Sequence, residues 1–391
     1  MLDAIGPAGP DGVGWAEPGF WPEEGLPWVT EARKHAPGLD SLLRWAFEGE
    51  ASRVAFATGH PVWVRVHGRN RPVTRASLDE AQVAQVANHL YGADGTARLQ
   101  SGSDFDVGYD IPVSRSRRLR FRLNATPVRT SRRAGANIVL RPIADLPPPL
   151  EAQGAEPMIM DAFRPREGMV VVSGATGSGK STLIAGMTVA KLADPDGHHN
   201  IAEGAAPVEF LLDRVRSPSS TISQTEIPRD LPSFEAFIRG CMRREPTDIV
   251  VGECRDAATM GASIQAAISG HALTTTVHAS DVPLTMQRIA SLCAADERDN
   301  LITAVAQSLR LVVNQRLAAS VDGRRTALRE ILAVDARFRG ELLHASPADW
   351  PALTRRAVRE RGQSYAASIG AALAQGRISE EVAARELREV G

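Results

Sequence analysis

The sequence predicts an α/β protein with a parallel sheet, preceded by a smaller α+β domain. From about residue 151 onward, apolar runs alternate with helical patterns, which is typical of parallel strands joined by crossover helices. Before that point, residues 29–142 mix helical segments with short alternating runs, as an α+β domain does. The 391 residues are enough for two or three domains, each with a core of its own.

Individual elements follow from local patterns. Residues 77–90 begin with Ser and an acidic first turn and predict a helix, whereas alternating runs at 62–66 and 119–125 predict strands. Residues 141–150 hold four prolines and show neither helical nor strand periodicity, so they predict an interdomain connection. In the second half, the predicted elements are a strand at 169–173, a helix at 180–192, a strand at 248–253, a helix at 256–269 and a strand at 272–277.

Changes in composition divide the chain into five segments. The first is rich in Gly, Pro, Trp and acid, and the last is polar and rich in Arg and Glu. The segments are an extended leader (1–28), the α+β domain (29–142), a Pro-rich linker (143–150), the α/β domain (151–349) and a C-terminal helical subdomain (350–391).

Composition excludes several classes of protein. Hydrophobic residues make up 43% and charged residues 23%, which is typical of a globular protein and not of a disordered or fibrous one. The 45 basic and 46 acidic residues nearly cancel, so no overall field attracts nucleic acid or an anionic membrane. Three cysteines without metal-ligand spacing argue against a disulfide framework and a zinc site. Without a secretory signal pattern or a membrane-spanning run, a cytoplasmic protein with at most peripheral membrane contact is expected.

A glycine-rich loop carries the strongest functional signal. It reads Gly174-Ala175-Thr176-Gly177-Ser178-Gly179-Lys180-Ser181, matches G-x-x-x-x-G-K-[ST], and lies between a predicted strand and a predicted helix. Glycines let successive backbone N–H groups converge on phosphates, and the helix N-terminus adds positive charge. We expect Lys180 on the β- and γ-phosphates, Ser181 on Mg²⁺ and Thr182 near the nucleotide. The loop therefore predicts a site for ATP and Mg²⁺.

Two more candidate residues follow predicted strands. Glu253 ends the run 248–253, and P-loop enzymes present such an acid to Mg²⁺ or the attacking water. His278 follows the run 272–277, at the sheet edge where α/β folds bind ligands, although a lone histidine is more often structural. His271 is a weaker candidate, and Asp256 fits a helix N-cap as well as it fits a functional role.

Residues 111–144 contain nine arginines and no Asp or Glu. Three interpretations stay open: a solvated face, a nucleic-acid patch, or arginines that reach the phosphates of a neighbouring subunit. Phe121 is the one aromatic residue in this stretch, so base stacking is poorly supported and nucleic acid is the least favoured ligand. The arginines are Arg115, Arg117, Arg118, Arg120, Arg122, Arg129, Arg132, Arg133 and Arg141.

Several blocks together resemble the ring-forming secretion ATPases of the PilT, DotB and TraJ type, and more closely the type IVB secretion and conjugation members. They fall in the family order and cover most of the chain beyond about residue 60. The main blocks are RFRLNATPVR (120–129), GATGSGKST (174–182), PVEF (207–210), PSS (218–220), LPSF (231–234), RREP (243–246), IVVGECRD (249–256) and SGHALTTTVHAS (269–280). Further similarities are SLRLVVNQRL (308–317), EIL (330–332) and GRISEE (376–381).

This resemblance implies a PAS-like N-terminal domain joined to a RecA-like P-loop ATPase domain, in a homohexamer with nucleotide between subunits. It implies that Glu253 is the Walker B glutamate and that His278 is the His-box histidine, which senses nucleotide state. It also implies phosphate contacts, some across the subunit boundary, for Arg120, Arg122, Arg141 and Arg243.

One acid of the family pattern is missing. The acidic box of the family reads like E-[DA]-P-[IV]-E-F, whereas residues 205–210 read AAPVEF, so Ala205 replaces the acid that the resemblance implies as general base. Three explanations stay open: Glu203 reaches the site through a register change, Glu253 and Glu209 suffice, or hydrolysis is slow.

Together these features predict an ATP hydrolase, peripheral at the inner membrane, that powers a type IV (IVB-like) secretion or conjugation apparatus or related pilus dynamics. Its expected partners are other copies of itself and the inner-membrane and coupling components of such a machine. Two alternatives remain: a nucleotide-gated assembly or docking subunit with little hydrolysis, suggested by Ala205, and a DNA-stimulated translocase, suggested by the arginine-rich stretch.

Overall fold

The computed structural model describes residues 37–49, 51–66, 69–74, 77–114, 118–130, 134–143 and 146–390. The chain divides into two compact units, with the division after residue 145. The leader predicted for residues 1–28 lies outside the described residues.

An antiparallel sheet of six strands, in the order β3-β2-β1-β6-β5-β4, forms the first unit. Leu42 and Val83 from the helices share a buried cluster with Phe56 and Leu123 of the strands, so the helices cover one face of the sheet. The elements are α1 (Pro37–Glu48), β1 (Ala51–Ala57), β2 (Trp63–Val66), β3 (Arg69–Pro72), α2 (Glu80–Tyr91), α3 (Gly95–Gln100), β4 (Phe105–Pro112), β5 (Arg118–Arg129) and β6 (Ala134–Ile143).

Two predicted boundaries in this unit are wrong. Helix α2 begins at Glu80 and not at residue 77, because Asp79 is its N-cap: its side chain accepts from the Gln82 N–H, and the Gln82 side chain accepts from the Asp79 N–H. The Pro-rich connection is shorter than predicted, since Arg141, Pro142 and Ile143 pair with β5 as the end of β6.

The second unit contains a sheet of seven strands in the order β13-β12-β7-β11-β10-β8-β9. All neighbours are parallel except β12 and β13, so the predicted parallel sheet is confirmed. Its strands are β7 (Gly168–Ser173), β8 (Asn200–Ala205), β9 (Thr221–Glu226), β10 (Asp248–Val251), β11 (Ala272–Val277), β12 (Leu309–Ala319) and β13 (Arg325–Ala333). Its helices are α4 (Pro157–Ala162), α5 (Lys180–Leu192), α6 (Phe234–Cys241), α7 (Ala257–Ile268), α8 (Val282–Ser291), α9 (Arg298–Ser308), α10 (Ala336–Leu343), α11 (Trp350–Arg361), α12 (Tyr365–Ala374) and α13 (Glu380–Val390).

Helices cover both faces of this sheet. Successive residues of a strand point to opposite faces. Accordingly, Met169 of β7 packs in a core with α7 to α11, whereas Val170 packs in a second core with Leu183 of α5. Helix α11 therefore belongs to the main core through Trp350, while α12 and α13 pack on Leu328 and neighbouring residues of β12 and β13 in a separate small cluster. Among the described residues, no helix combines the length and apolar character that crossing a bilayer requires.

A buried ionic cluster ties the far end of α5 to the amino edge of the sheet. Lys191 Nζ lies 2.6 Å from Asp248 Oδ1, and His199 Nδ1 lies 2.7 Å from Asp248 Oδ2. Burial alone would raise the pKa of Asp248, but the His199 hydrogen bond and the charge of Lys191 lower it to about 2. The cluster therefore holds the helix that follows the glycine-rich loop in one position.

We predict that Asp248→Asn lowers the free energy of unfolding at pH 7 by about 3 kcal/mol, because it leaves the Lys191 ammonium buried without its counter-charge. The Asp248 pKa is depressed, so its stabilisation is present above about pH 4 and is lost as pH falls toward 2. Guanidinium unfolding at pH 7 measures the loss. The control is Glu235→Gln, which removes an exposed ion pair with Arg239 and should cost well under 1 kcal/mol. Equal effects of the two substitutions would contradict the prediction.

Candidate functional site

The glycine-rich loop joins β7 to α5 and lies against β12. Gly174 and Gly179 have φ values of +144° and +83°, in the region that favours glycine. A Cβ atom at Gly174 would lie 2.3 Å from the Gln315 carbonyl oxygen, and one at Gly179 would lie 2.8 Å from Gln315 Nε2. Both glycines are therefore required by backbone conformation and by the close approach of β12.

Lys180 folds back over this loop. Its Nζ donates to the carbonyl oxygens of Gly174 and Ala175, at 2.9 Å each, and the residue is 9% exposed. Burial lowers the pKa of Lys180, while the negative charges of Glu253 and Glu209 raise it. Two carboxylates thus act on the ammonium group.

The loop also contains a buried hydroxyl. Within the described part of the chain, Ser178 Oγ is enclosed and has no hydrogen-bond partner. A buried hydroxyl without a partner is costly unless a ligand satisfies it. This hydroxyl and the glycine-rich backbone fit the oxygens of a phosphate group.

His278 connects the loop to Glu253. After β11 ends, His278 Nδ1 lies 3.2 Å from the Gly174 carbonyl oxygen and Nε2 lies 3.1 Å from Glu253 Oε1. Both neighbours are acceptors, so both contacts form together when each ring nitrogen carries a hydrogen. Arg255 Nη2 lies 2.8 Å from the other Glu253 oxygen. The side chain of Asp256, by contrast, accepts from the Thr259 N–H as the N-cap of α7.

Glu203 lies within β8, two residues before Ala205. Residues 200–205 of β8 pair residue by residue with β9, and Glu203 faces Val250 of β10 and Gln224 of β9. The pairing of β8 is thus regular, with Glu203 two positions before Ala205, and which acid serves as the base stays a prediction. Burial and the charge of Glu209 raise the pKa of Glu203 and the Gln224 hydrogen bond lowers it, with a net value of about 7.

Gln224 and Glu226, which sequence reasoning missed, hold the segment that contains Glu209. Gln224 Nε2 donates to Glu203 Oε2 at 2.6 Å and to the Phe210 carbonyl at 2.8 Å. Glu226 is 7% exposed and accepts from the Val208 N–H at 3.2 Å. Their positions depend on the pairing of β8 with β9, so no local motif marks them.

The arginines of the first unit are less isolated than their sequence suggests. Arg120 is 4% exposed, and its Nε donates to Asp110 at 2.8 Å. Arg122 forms an ion pair with Asp106, also at 2.8 Å. Both acids lie on β4, just before the acid-free stretch, and antiparallel pairing brings them opposite β5. In this chain these two arginines are therefore paired with acids of β4, and their phosphate contacts stay a prediction.

The other arginines occupy different positions. Arg141 is exposed on β6, directly opposite Arg122, whereas residues 115, 117, 132 and 133 lie outside the described residues. Arg243 precedes β10 and is exposed at the amino edge of the parallel sheet. Because the glycine-rich loop follows the carboxyl end of β7, Arg243 and the loop lie at opposite edges of the parallel sheet within one chain.

A cavity of about 410 Å³ opens beside the loop. Pro148 and Gln153 form one wall, Gly179 and Thr182 a second, and Arg325 lies on a third. This volume is within the range of small-molecule sites. No local motif marks this cavity, because its walls come from three distant segments.

Fold and site together define a P-loop nucleotide-binding protein. The family described as Type II/IV secretion system protein matches residues 96–382, and the chain belongs to that family. The type IV pilus ATPase PilT of Pseudomonas aeruginosa is 28% identical over 294 residues, which cover 75% of this chain and 82% of PilT. The resemblance to these secretion ATPases is therefore confirmed.

Solved structures agree with this assignment. The X-ray structure of the Legionella pneumophila ATPase DotB has a TM-score of 0.78 and 36% identity, covering 90% of this chain and 95% of DotB. The pilus retraction motor PilT with bound ADP has a TM-score of 0.74 at 22% identity, covering 89% and 96% of the two chains. These matches confirm the predicted RecA-like ATPase fold with a smaller N-terminal domain.

We predict that the stability of Glu203→Gln relative to wild type rises between pH 5 and pH 8. The folded-state pKa of about 7 exceeds the ordinary 4.5, so ionising the buried carboxyl removes up to about 3 kcal/mol of wild-type stability as pH rises through this window. The amide of Gln does not ionise. Denaturant unfolding at both pH values, with exposed Glu235→Gln as control, tests this, and a pH-independent difference would contradict it.

Proposed function

We propose that the chain is an ATP hydrolase that works as a homohexameric ring on a type IV secretion or conjugation apparatus of the IVB kind. The observation that carries the enzymatic part is the grouping of Lys180, Glu253 and His278 around Gly174. The likeness to DotB, at 36% identity over 90% of this chain, favours secretion over pilus retraction as the process that is driven.

The P-loop supplies the phosphate contacts in this proposal. Backbone N–H groups of the loop and the N-terminus of α5 bind the β- and γ-phosphates. Lys180 exchanges the Gly174 and Ala175 carbonyls for phosphate oxygens, and the Ser178 hydroxyl gains a partner. The base and ribose occupy the cavity beside Thr182.

Ser181 and Glu253 are the residues that would hold Mg²⁺. Ser181 is exposed at the start of α5, and Glu253 follows β10, the strand next to β11. When bound, the ion neutralises charge on the β- and γ-phosphates. Oxygen donors of this kind suit a hard cation that keeps several water ligands.

Glu253 also orients the attacking water. His278 and Arg255 hold its carboxylate in place. Water attacks the γ-phosphorus, the bond to the β-phosphate oxygen breaks, and the proton of the water passes to Glu253 while ADP leaves. The negative charge of Glu209 acts on Lys180. Glu203 accepts from Gln224 and influences the site through the charge of Glu209.

The ring places arginines of one subunit at the nucleotide of the next. Arg243 is exposed at the sheet edge opposite its own P-loop, so a phosphate contact for it belongs to another subunit. Arg141 is exposed as well. Arg120 and Arg122 contact the same nucleotide once they leave their ion pairs with acids of β4 and bind phosphate oxygens instead. We assign a PAS-like fold to the unit that carries these three, and inner-membrane and coupling proteins as the partners of the ring.

ATP turnover with Mg²⁺, measured after sizing each sample, tests the proposal. Lys180→Ala should abolish turnover while the fold survives, and Glu253→Gln should reduce kcat by about 100-fold or more while nucleotide still binds. Glu235→Gln, which breaks an exposed ion pair, serves as the unchanged control.

Three results would revise the proposal. Full turnover in Lys180→Ala would refute the assignment of the site. Loss of turnover in Glu203→Gln would make Glu203 the base. A wild-type ring that binds ATP without turning it over would favour the alternative of a nucleotide-gated assembly subunit, for which Ala205 in place of the acid is the specific observation.

A further inference from the structure

Gln315 of β12 joins the P-loop to the neighbouring strand. Its Nε2 donates to the Ser178 carbonyl at 2.7 Å, and its Oε1 accepts from Arg329 Nε at 2.7 Å. Gln315 is 3% exposed. If its amide were flipped, the amide oxygen would face the Ser178 carbonyl oxygen and the amide N–H groups would face the Arg329 guanidinium. The two partners therefore fix the amide in one orientation.

Arg329 lies opposite Gln315 on β13 and is 1% exposed. Besides Gln315, its N–H groups donate to the carbonyl oxygens of Gly154 at 2.8 Å and Gln153 at 3.0 Å, and to Glu156 Oε2 at 2.9 Å. Glu156 is the counter-charge, and its other oxygen accepts from Gln363 Nε2. One buried guanidinium thus connects the P-loop side of the domain to residues 153–156.

Residues 153–156 continue directly from the Pro-rich connection. Gln153 Nε2 donates both to the Pro148 carbonyl at 2.6 Å and to the Thr182 carbonyl of α5 at 3.2 Å. A continuous set of hydrogen bonds therefore runs from Ser178 through Gln315 and Arg329 to the segment that leads out of the ATPase domain. In a low-dielectric interior such directional bonds are strong, and leaving one partner unsatisfied is costly.

We propose that Arg329 is a positioning residue that couples the shape of the P-loop to the seating of residues 148–156. Through Gln315 it fixes Ser178 for phosphate, and through Glu156, Gly154 and Gln153 it fixes the connecting segment. Nucleotide affinity therefore depends on Glu156, although Glu156 contacts Arg329 and Gln363 and not the loop. This inference rests on the proposed nucleotide binding at the P-loop.

A merely structural role makes a different prediction. If Arg329 only stabilised the fold, Glu156→Gln and Gln315→Met would lower stability and would change nucleotide affinity independently, each through its own site. If Arg329 couples the two sides, the effects are non-additive, because both substitutions act through the same guanidinium.

The experiment is a mutant cycle in the full chain, read by the dissociation constant of a fluorescent ADP analogue with Mg²⁺. We expect Glu156→Gln and Gln315→Met each to weaken binding about three- to tenfold, and the double variant to be no weaker than the worse single variant. In an Arg329→Met background, adding Glu156→Gln should leave the constant unchanged, because Glu156 acts only through Arg329. Glu341→Gln, which breaks ion pairs with Arg356 and Arg361 elsewhere in the unit, is the matched control and should not alter binding.

Hydrogen exchange of the P-loop amides without nucleotide gives a second readout. Exchange at residues 177–180 should accelerate in Glu156→Gln and remain unchanged in Glu341→Gln. Unaltered affinity and exchange in Glu156→Gln, or effects that multiply in the double variant, would overturn the coupling. Absence of analogue binding by wild type would instead refute the proposed function, and the exchange data would still decide the coupling. If Arg329→Met does not fold, the cycle between Glu156 and Gln315 remains decisive.

Discussion

The close packing of the P-loop on β12 is the constraint on which the rest of the site depends. Gln315 and its neighbour Asn314 point to opposite faces of the sheet. Gln315 holds the carbonyl of Ser178, while Asn314 Nδ2 donates to Ser173 Oγ at 2.7 Å and to the Ala279 carbonyl at 3.0 Å. One strand therefore fixes both ends of the phosphate loop and the residue that follows His278.

Two carboxylates dominate the electrostatics around Lys180. Glu253 and Glu209 place two negative charges around Lys180, and Glu209 raises the pKa of Glu203 behind them. A phosphate group without a cation would meet these carboxylates as a like charge, whereas a metal-bound phosphate would not. Ala205 itself carries no charge, so Glu253 and Glu209 are the two carboxylates that act on Lys180.

Local patterns predicted the elements whose cause is local. The strand at 272–277 and the helix at 180–192 have the predicted bounds because an apolar run and a glycine-rich loop mark them. Strands β8 and β9 were not predicted, since their alternation includes Gly, Ser, Thr and acid. The contact of Asp110 with Arg120 is set by strand pairing, so no local pattern predicts it. The contact of Arg329 with Gln315 depends on strand pairing in the same way. What the sequence could not provide was the set of contacts between distant segments.

The distance along the chain between the P-loop and its supports has a consequence for biosynthesis. Ser178 and Gln315 are 137 residues apart, and Ser173 and Asn314 are 141 apart. When the glycine-rich motif has just been synthesised, the strand β12 that holds it in shape has not yet been made. At a synthesis rate of roughly 5–20 residues per second, the residues between Ser178 and Gln315 take roughly 7 to 27 seconds to make. The shape of the loop therefore forms only after β12 has been synthesised.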